Sequence, residues 1–279
     1  MSKLFKGIIA GNHFITENLL GGLTRNEEED PQDYCVADNT QELCNEWARK
    51  FHVRTTTNPI DFVGSTAILI FSFHHDDLDG IMKKIAPKIK KETLILSVMH
   101  RTQIADIEKY LPDHQIIRLV LNPSVLSGAG VGAYAANRNA TVDAKSAAQI
   151  IIKNLGSMIE VNNEEELEDM RKFIMANTFM SYLTVKSMVD AGRKIGLSLK
   201  DAGFIADKIL DGAVQTLVTD RQRGIAMLQE AFRKDVLNEA ITLIKSYGIY
   251  DSIGKTITKD DFIEPEPKKV DLRYRWLNR

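Results

Sequence analysis

The 279-residue sequence predicts an α/β protein, a doubly wound parallel sheet followed by an all-helical C-terminal half. Two observations carry this. From Lys6 to Leu121 short apolar runs alternate with amphipathic stretches, the spacing of a parallel sheet with right-handed crossovers. From Glu164 the apolar residues recur with a helical period instead. The two regimes meet at Gln115 to Gly132. There Ile116 to Leu121 reads as a buried strand, Asn122-Pro123 stops it, and Ser127-Gly128-Ala129-Gly130-Val131-Gly132 follows. The expected division is residues 1–161, residues 162–259 and an extended basic and aromatic tail at 260–279.

Taken in order, Lys6-Gly7-Ile8-Ile9-Ala10-Gly11 is a short apolar run ending in glycine, and Asn12 precedes an amphipathic segment through Leu19, Leu20 and Leu23. Strand, tight turn and helix in that order open a nucleotide-binding βαβ unit. The acidic loop from Glu27 leads to a strand at Tyr34-Cys35-Val36-Ala37 that ends in Asp38. A carboxylate there either holds the adenosine ribose hydroxyls of a dinucleotide or caps the helix that follows. Gln41 to Phe51 has helical spacing, Val53 to Thr56 is a short strand, and Asn58-Pro59 begins a turn and helix. Ala67 to Phe73 is the clearest buried strand and ends in His74-His75-Asp76-Asp77. Leu78 to Ile89 is a helix interrupted near Pro87, Leu94 to Val98 a strand, and Ile104 to Leu111 a helix. Beyond the hinge, Ala133 to Thr141 and Met158 to Val161 supply edge strands around a helix at Asp143 to Leu155.

The helical half has a long run through Phe173, Met180, Leu183, Met188 and Ala191 and a break at Gly192 to Leu197. Helices follow at Leu199 to Val218, with Ser198 as N-cap, at Gly224 to Arg233 and at Val236 to Tyr247. Six of the nine methionines lie at 158 or later, which marks a core face or a subunit interface. The tail, with Lys268, Lys269, Arg273, Arg275 and Arg279 around Tyr274 and Trp276, reads as a solvated segment whose aromatics dock on the body or on a partner subunit.

Thirty-six basic against thirty-eight acidic side chains give a net charge of −2, which points away from nucleic acid and towards small molecules or proteins as partners. Cys35 and Cys44 lack metal-ligand spacing and fit a reducing compartment. Apolar runs such as Ala67 to Phe73 are too short to cross a bilayer and no signal-peptide pattern is evident, so a cytoplasmic protein without a membrane partner is expected.

At the hinge, Ile116-Ile117-Arg118-Leu119-Val120-Leu121-Asn122 followed by Leu126 and Gly130 resembles the arginine-to-asparagine segment and glycine loop of pyrroline-5-carboxylate reductases. Gly7-Ile8-Ile9 with Gly11-Asn12 and Leu20-Gly21-Gly22-Leu23 is similar to their first βα turn, and Ser97 to Leu111 runs in step with their fifth strand and following helix. Tyr182, Asp190-Ala191-Gly192, Gly196 and Gly212-Ala213 resemble residues of their long helix and dimer-forming helices. The resemblance implies an N-terminal Rossmann-like domain, a C-terminal all-α dimerisation domain, and a homodimer or higher homo-oligomer. It also implies NAD(P)H-dependent reduction of a cyclic imine, pyrroline-5-carboxylate to proline or a related small molecule; no metal is expected. Cofactor contacts are then expected at Gly11, Asn12, His13, Asp38, Ser72, Phe73 and His74.

The sequence departs from that pattern where chemistry is concentrated. The first turn has one glycine where the fingerprint has three, and it reads as longer. His74-His75 stands for a lysine-proline, and Met99-His100-Arg101 for Ala-Ala-Gly. Ala176-Asn177-Thr178-Phe179-Met180 occupies a small-residue loop, and Lys234-Asp235-Val236-Leu237 leaves no hydroxyl where a Gly-Gly-Thr-Thr loop is expected. His13, His74, His75 and His100 would gather at the carboxyl edge of the sheet, as a new acid/base or metal site or as histidines of exposed loops. His100 is the catalytic candidate. Asn122 is its companion from the family match, a nicotinamide or substrate contact, or else a residue that terminates its strand. Arg118 is expected in a structural ion pair. A non-catalytic paralogue that keeps the fold and dimer as a binding or regulatory protein is the alternative to an enzyme.

Overall fold

The computed structural model describes residues 5–27 and 29–219, together with Glu239, Thr242 and Ser246, which are helical. The chain falls into two compact units, Met1–Ile174 and Met175–Arg279. The expected helix at Gly224 to Arg233, the segment Lys234 to Leu237 and the tail at 260–279 lie outside the described residues, as does all but those three residues of the helix at Val236 to Tyr247.

The first unit is built on an eight-stranded sheet: β1 (Lys6–Ala10), β2 (Tyr34–Ala37), β3 (Arg54–Thr56), β4 (Ile68–Ser72), β5 (Leu94–Ser97), β6 (Ile116–Leu121), β7 (Gly130–Ala136) and β8 (Gly156–Glu160). Its strand order is β3-β2-β1-β4-β5-β6-β7-β8, with every pair parallel except β6 and β7. The connecting helices are α1 (His13–Leu23), α2 (Gln41–Phe51), α3 (Ile60–Val63), α4 (Leu78–Ile85), α5 (Ile104–Glu108) and α6 (Val142–Leu155). This is the Rossmann-like doubly wound order, with its topological switch between β1 and β4.

Side chains alternate across a strand with a period of two, so a strand covered on both sides must be apolar throughout. Val36, Ile8, Ile70, Leu96 and Ile117 are aligned across five strands and pack on one face with Leu19, Leu20 and Trp47. Ile9, Leu69, Phe71 and Ile95 point the other way, onto Phe62, Met82, Ile85 and Ile107. Burying each such side chain stabilises the fold by roughly 2 kcal/mol.

The glycine-rich hinge is strand, not loop. A five-residue 3-10 turn at Pro123–Ser127 reverses the chain and β7 begins at Gly130, earlier than the expected start at Ala133. Backbone approach explains the glycine: a Cβ on Gly130 would lie 2.3 Å from Val125 Cγ1 and 2.5 Å from the Leu155 carbonyl. Gly22 on α1 lets the same turn close in, since its Cβ would meet the Val125 carbonyl at 2.4 Å.

The long helix α7 (Glu164–Lys194) is continuous through Ala176 to Met180, so the loop expected there is absent. Within the second unit α7 is followed by α8 (Leu199–Thr219). Gly196 takes the left-handed conformation at φ +96°, Leu197 N donates to the Gly192 carbonyl at 3.1 Å, and Ser198 Oγ caps α8 by accepting from Asp201 N at 3.1 Å. Gly192 allows the turn to fold tightly, because its Cβ would stand 3.0 Å from Ala202 Cβ.

Candidate functional site

The crevice at the switch point is framed by the β1–α1 turn. Only Gly11 and Asn12 join Ala10 to His13, so the turn is short, correcting the longer turn expected from its glycine pattern. Gly11, His13 and Thr16 stand where the G-x-G-x-x-G fingerprint puts its glycines. Gly11 (φ +156°) lies against β4's end, where a Cβ would fall 2.8 Å from Phe73 Cβ. Thr16 replaces the third glycine without spreading helix and sheet. Its hydroxyl donates to the Asn12 carbonyl at 2.9 Å, and Ser72 Oγ lies 2.9 Å from it. Asn12 caps α1 through Oδ1, which accepts Ile15 N at 3.2 Å, while its own amide donates to the Ser72 carbonyl at 2.9 Å.

His13 replaces the middle glycine, the one through which backbone approaches a pyrophosphate. Its ring stands edge-on to Trp47, with centroids 6.1 Å apart, and Nε2 lies 3.2 Å from Asp38 Oδ2. Asp38 is not the N-cap of α2; Thr40 is. The Asp38 side chain is wholly buried at the end of β2, and Oδ1 accepts Thr40 N at 2.8 Å. Oδ2 receives no directed hydrogen bond, so the His13 contact is an electrostatic approach that leaves an acceptor unsatisfied. The pair shifts both groups. The Asp38 contact raises the His13 pKa above its ordinary value, against a smaller opposing effect of burial. Burial pushes the Asp38 carboxyl up, but His13 and the Thr40 amide outweigh it and hold it below the usual range.

Beside this pair opens a cavity of about 470 Å³. Ala10 and Gly11 of the first turn, Asp38 and Asn39 beyond β2, and the Asn58-Pro59 turn beyond β3 form its walls, with Gly80, Ile81 and Lys84 on α4 opposite. Asp76 and Asp77 also line it, so three carboxylates face one ammonium. The sequence reading missed the Asn58-Pro59 turn and the α4 face. Their only signals are an X-Pro turn after a strand and a Gly80/Lys84 pair at helical spacing, and these become meaningful once α4 is placed beside β1.

The other expected residues do not line this cavity, although those at the end of β4 adjoin the first turn. Ser72 is bound to Thr16, and Phe73 is buried against Phe71, with ring centroids 5.4 Å apart. His74 leads into the 3-10 turn His75–Asp77, and His75 Nδ1 lies 3.0 Å from Thr102 Oγ1. His100 is partly buried after β5, its carbonyl accepting Thr102 Oγ1 at 3.3 Å. Among the described residues no three His, Cys, Asp or Glu side chains gather as metal ligands, so the four strand-end histidines do not converge on an ion. The two cysteines are buried, and burial pushes the Cys35 thiol up to about 11.

Beyond β5 and β6 the polar groups serve the fold. Arg101 adopts φ +56°, the left-handed conformation that suits glycine. Asn122 Oδ1 accepts Val131 N at 2.9 Å, tying the end of β6 to β7 as a strand-terminating residue does. Arg118 is 2% exposed and pairs with Glu164 at 3.0 Å and Glu168 at 2.5 Å on α7, the structural ion pair the sequence suggested. Glu164 also accepts Ile104 N, at 2.9 and 3.1 Å, at the start of α5.

A switch-point crevice on a Rossmann-like sheet, followed by long helices, is the fold of an NAD(P)-dependent oxidoreductase. A curated pyrroline-5-carboxylate reductase from a Synechocystis species is 24% identical over 248 residues, which cover 89% of this chain and 90% of that protein. Other curated pyrroline-5-carboxylate reductases, from Pseudomonas aeruginosa and Mycobacterium tuberculosis, are similar to the chain at 23% and 25% identity over 74% and 75% of it. Among solved structures, the Coxiella burnetii pyrroline-5-carboxylate reductase matches with TM-score 0.76 and 20% identity, over 92% of this chain and 96% of that one. The Plasmodium falciparum pyrroline carboxylate reductase, solved with NADP bound, gives 0.80 and 15%, over 92% and 95%. No protein-family model matches the chain.

Proposed function

We propose that the protein binds a nicotinamide dinucleotide at the β1/β4 switch point and reduces a cyclic imine, pyrroline-5-carboxylate or a close relative. The observation that carries this reading is the unsatisfied, fully buried Oδ2 of Asp38 beside a cavity of about 470 Å³. A ribose diol supplies the donor that Oδ2 lacks, and the cavity suits an adenosine. The adenosine half of the cofactor therefore fits the residues present. NADH is favoured over NADPH, because a 2′-phosphate would meet Asp38, Asp76 and Asp77 against Lys84 alone. The dinucleotide, when bound, supplies a hydride. The chain's part is to hold the cofactor at Gly11, Asn12 and Asp38, and to offer His100, partly buried beyond β5, as the group that protonates the imine nitrogen.

Homo-oligomerisation belongs to the same reading. Ile195, Phe204, Ile209, Val214 and Val218 are 53 to 81% exposed, an apolar surface suited to a second copy of the chain. Sedimentation of the purified protein as a monomer would remove that part of the proposal. No helix among the described residues is long and apolar enough to cross a membrane.

Incubation with NADH and pyrroline-5-carboxylate, with NADH loss and proline formation followed together, tests the reaction. Stoichiometric formation of proline is expected. Tight NADH binding without turnover of this imine or of related cyclic imines would transfer the protein to the non-catalytic reading.

A further inference from the structure

We propose that His13 is a transferable imidazole, held by Asp38 in the free protein and passed to the pyrophosphate when a dinucleotide binds, and that wherever the free imidazole is neutral this binding draws in a proton. This rests on the dinucleotide reading of the crevice and adds a residue and a regulation to it.

Three features of the structure support the exchange. His13 is the first residue of α1, at the helix end over which a pyrophosphate lies, and its side chain stands where the fingerprint leaves room for backbone amides. The imidazole thus takes the place of an amide contact, and a neutral or cationic ring differs greatly in its worth to a phosphate. The second feature is Asp38. Oδ2 is buried and has no directed donor, so a ribose hydroxyl can take it as the imidazole leaves, and neither group is left unpaired in the bound state. The third is freedom to move: the His13 side chain is 40% exposed, unlike the fully buried carboxylate.

The surrounding charges permit a clean titration. From β2 His13 faces Asp38, and from α2 it faces Trp47. Lys50 of α2 is paired with Glu17 of α1, so neither adds an uncompensated charge. Beyond β4, the His74 backbone amide lies 3.9 Å from where a Gly11 Cβ would be, so His74→Gln serves as the control. Asp38 remains near His13 after the exchange, and the phosphates add negative charge. The bound state therefore holds the His13 proton more tightly than the free state, and affinity rises as pH falls towards the free value.

Calorimetric titration of the full chain with ADP-ribose and with adenosine, at about pH 6 and about pH 8 in buffers of different ionisation enthalpy, reads this directly. The expected result is ADP-ribose binding about tenfold tighter at the lower pH, with proton uptake, while adenosine changes less than about twofold. His13→Gly and His13→Gln should both bind ADP-ribose without proton uptake and with a flat pH profile, and His74→Gln should keep the wild-type profile. Equal ADP-ribose affinity at both pH values, or proton uptake that survives in both His13 variants, overturns the role of His13 and leaves the dinucleotide reading intact. Failure of the wild type and both variants to bind ADP-ribose overturns the two together.

Discussion

Beyond β1 and β2 the carboxyl edge of the sheet opens on a cavity of about 470 Å³ with an unsatisfied carboxylate oxygen at its wall. Beyond β5 and β6, side chains at the same edge are turned onto the protein itself: Asn122 to Val131, Glu164 to Ile104, Arg118 to two glutamates. The unsatisfied Asp38 oxygen stands at a cavity wall where a ligand can complete it, whereas the Arg118 guanidinium, although its Nε also lacks a partner, is held within the protein by two carboxylates. One end of the edge has the character of a binding surface and the other that of a brace. On the proposed reading the open end takes the adenosine half of a cofactor and the braced end faces its reactive half.

The brace gives the largest expected effect. Arg118→Ala would strand Glu164 and Glu168 and cost about 3 kcal/mol, read as a lower denaturation midpoint. A loss below about 1 kcal/mol would show that the network does not hold α7 to the sheet. Gly130→Ala comes next, at about 2 kcal/mol, because its Cβ meets a backbone carbonyl that cannot rotate away. Arg101→Gly works in the opposite sense. Relief of the left-handed strain outweighs the added freedom of the unfolded chain, for a gain of about 0.5 kcal/mol. Any loss of stability in that variant would show that the Arg101 side chain is itself part of the brace.

On the binding side the smallest effect is a pH dependence of stability. His13 has a raised pKa, so its contribution is complete below 6.5 and is lost as pH rises through the folded value. Asp38 has a lowered pKa, so its contribution is complete above 3.8 and fades as pH falls through its folded value. The pair therefore stabilises most between those limits. A proton NMR titration should show His13 titrating above 6.5 in the wild type and closer to the ordinary value in Asp38→Asn.

Much of the fold was legible because the buried strands are apolar on both faces. Ile8-Ile9, Leu69-Ile70-Phe71 and Leu94-Ile95-Leu96 have no other stable placement in a chain of this size. Gly130 misled because glycine reads as loop, while here it is a strand residue forced by the Leu155 carbonyl. Ala176 to Met180 misled because a family expectation of a loop was set against a helical pattern, and the pattern prevailed. In the site, Gly11 and Asp38 were legible from the strand-turn-helix order. The cavity wall on α4 was not, since Gly80 and Lys84 acquire their role only from the packing of a helix distant in sequence. The Asp38 contact with His13 was equally hidden, being a meeting of β2 with α1 that no local spacing encodes.

Fluorescence titration with NADH and NADPH, on the wild type and Asp38→Asn, tests whether Asp38 makes the switch-point crevice a dinucleotide site. Loss of a charged hydrogen bond to the ribose predicts saturable NADH binding that weakens about tenfold or more in the variant, with NADPH weaker than NADH in the wild type. Absence of binding to both cofactors at about millimolar concentration, or NADH affinity untouched by the substitution, would contradict it.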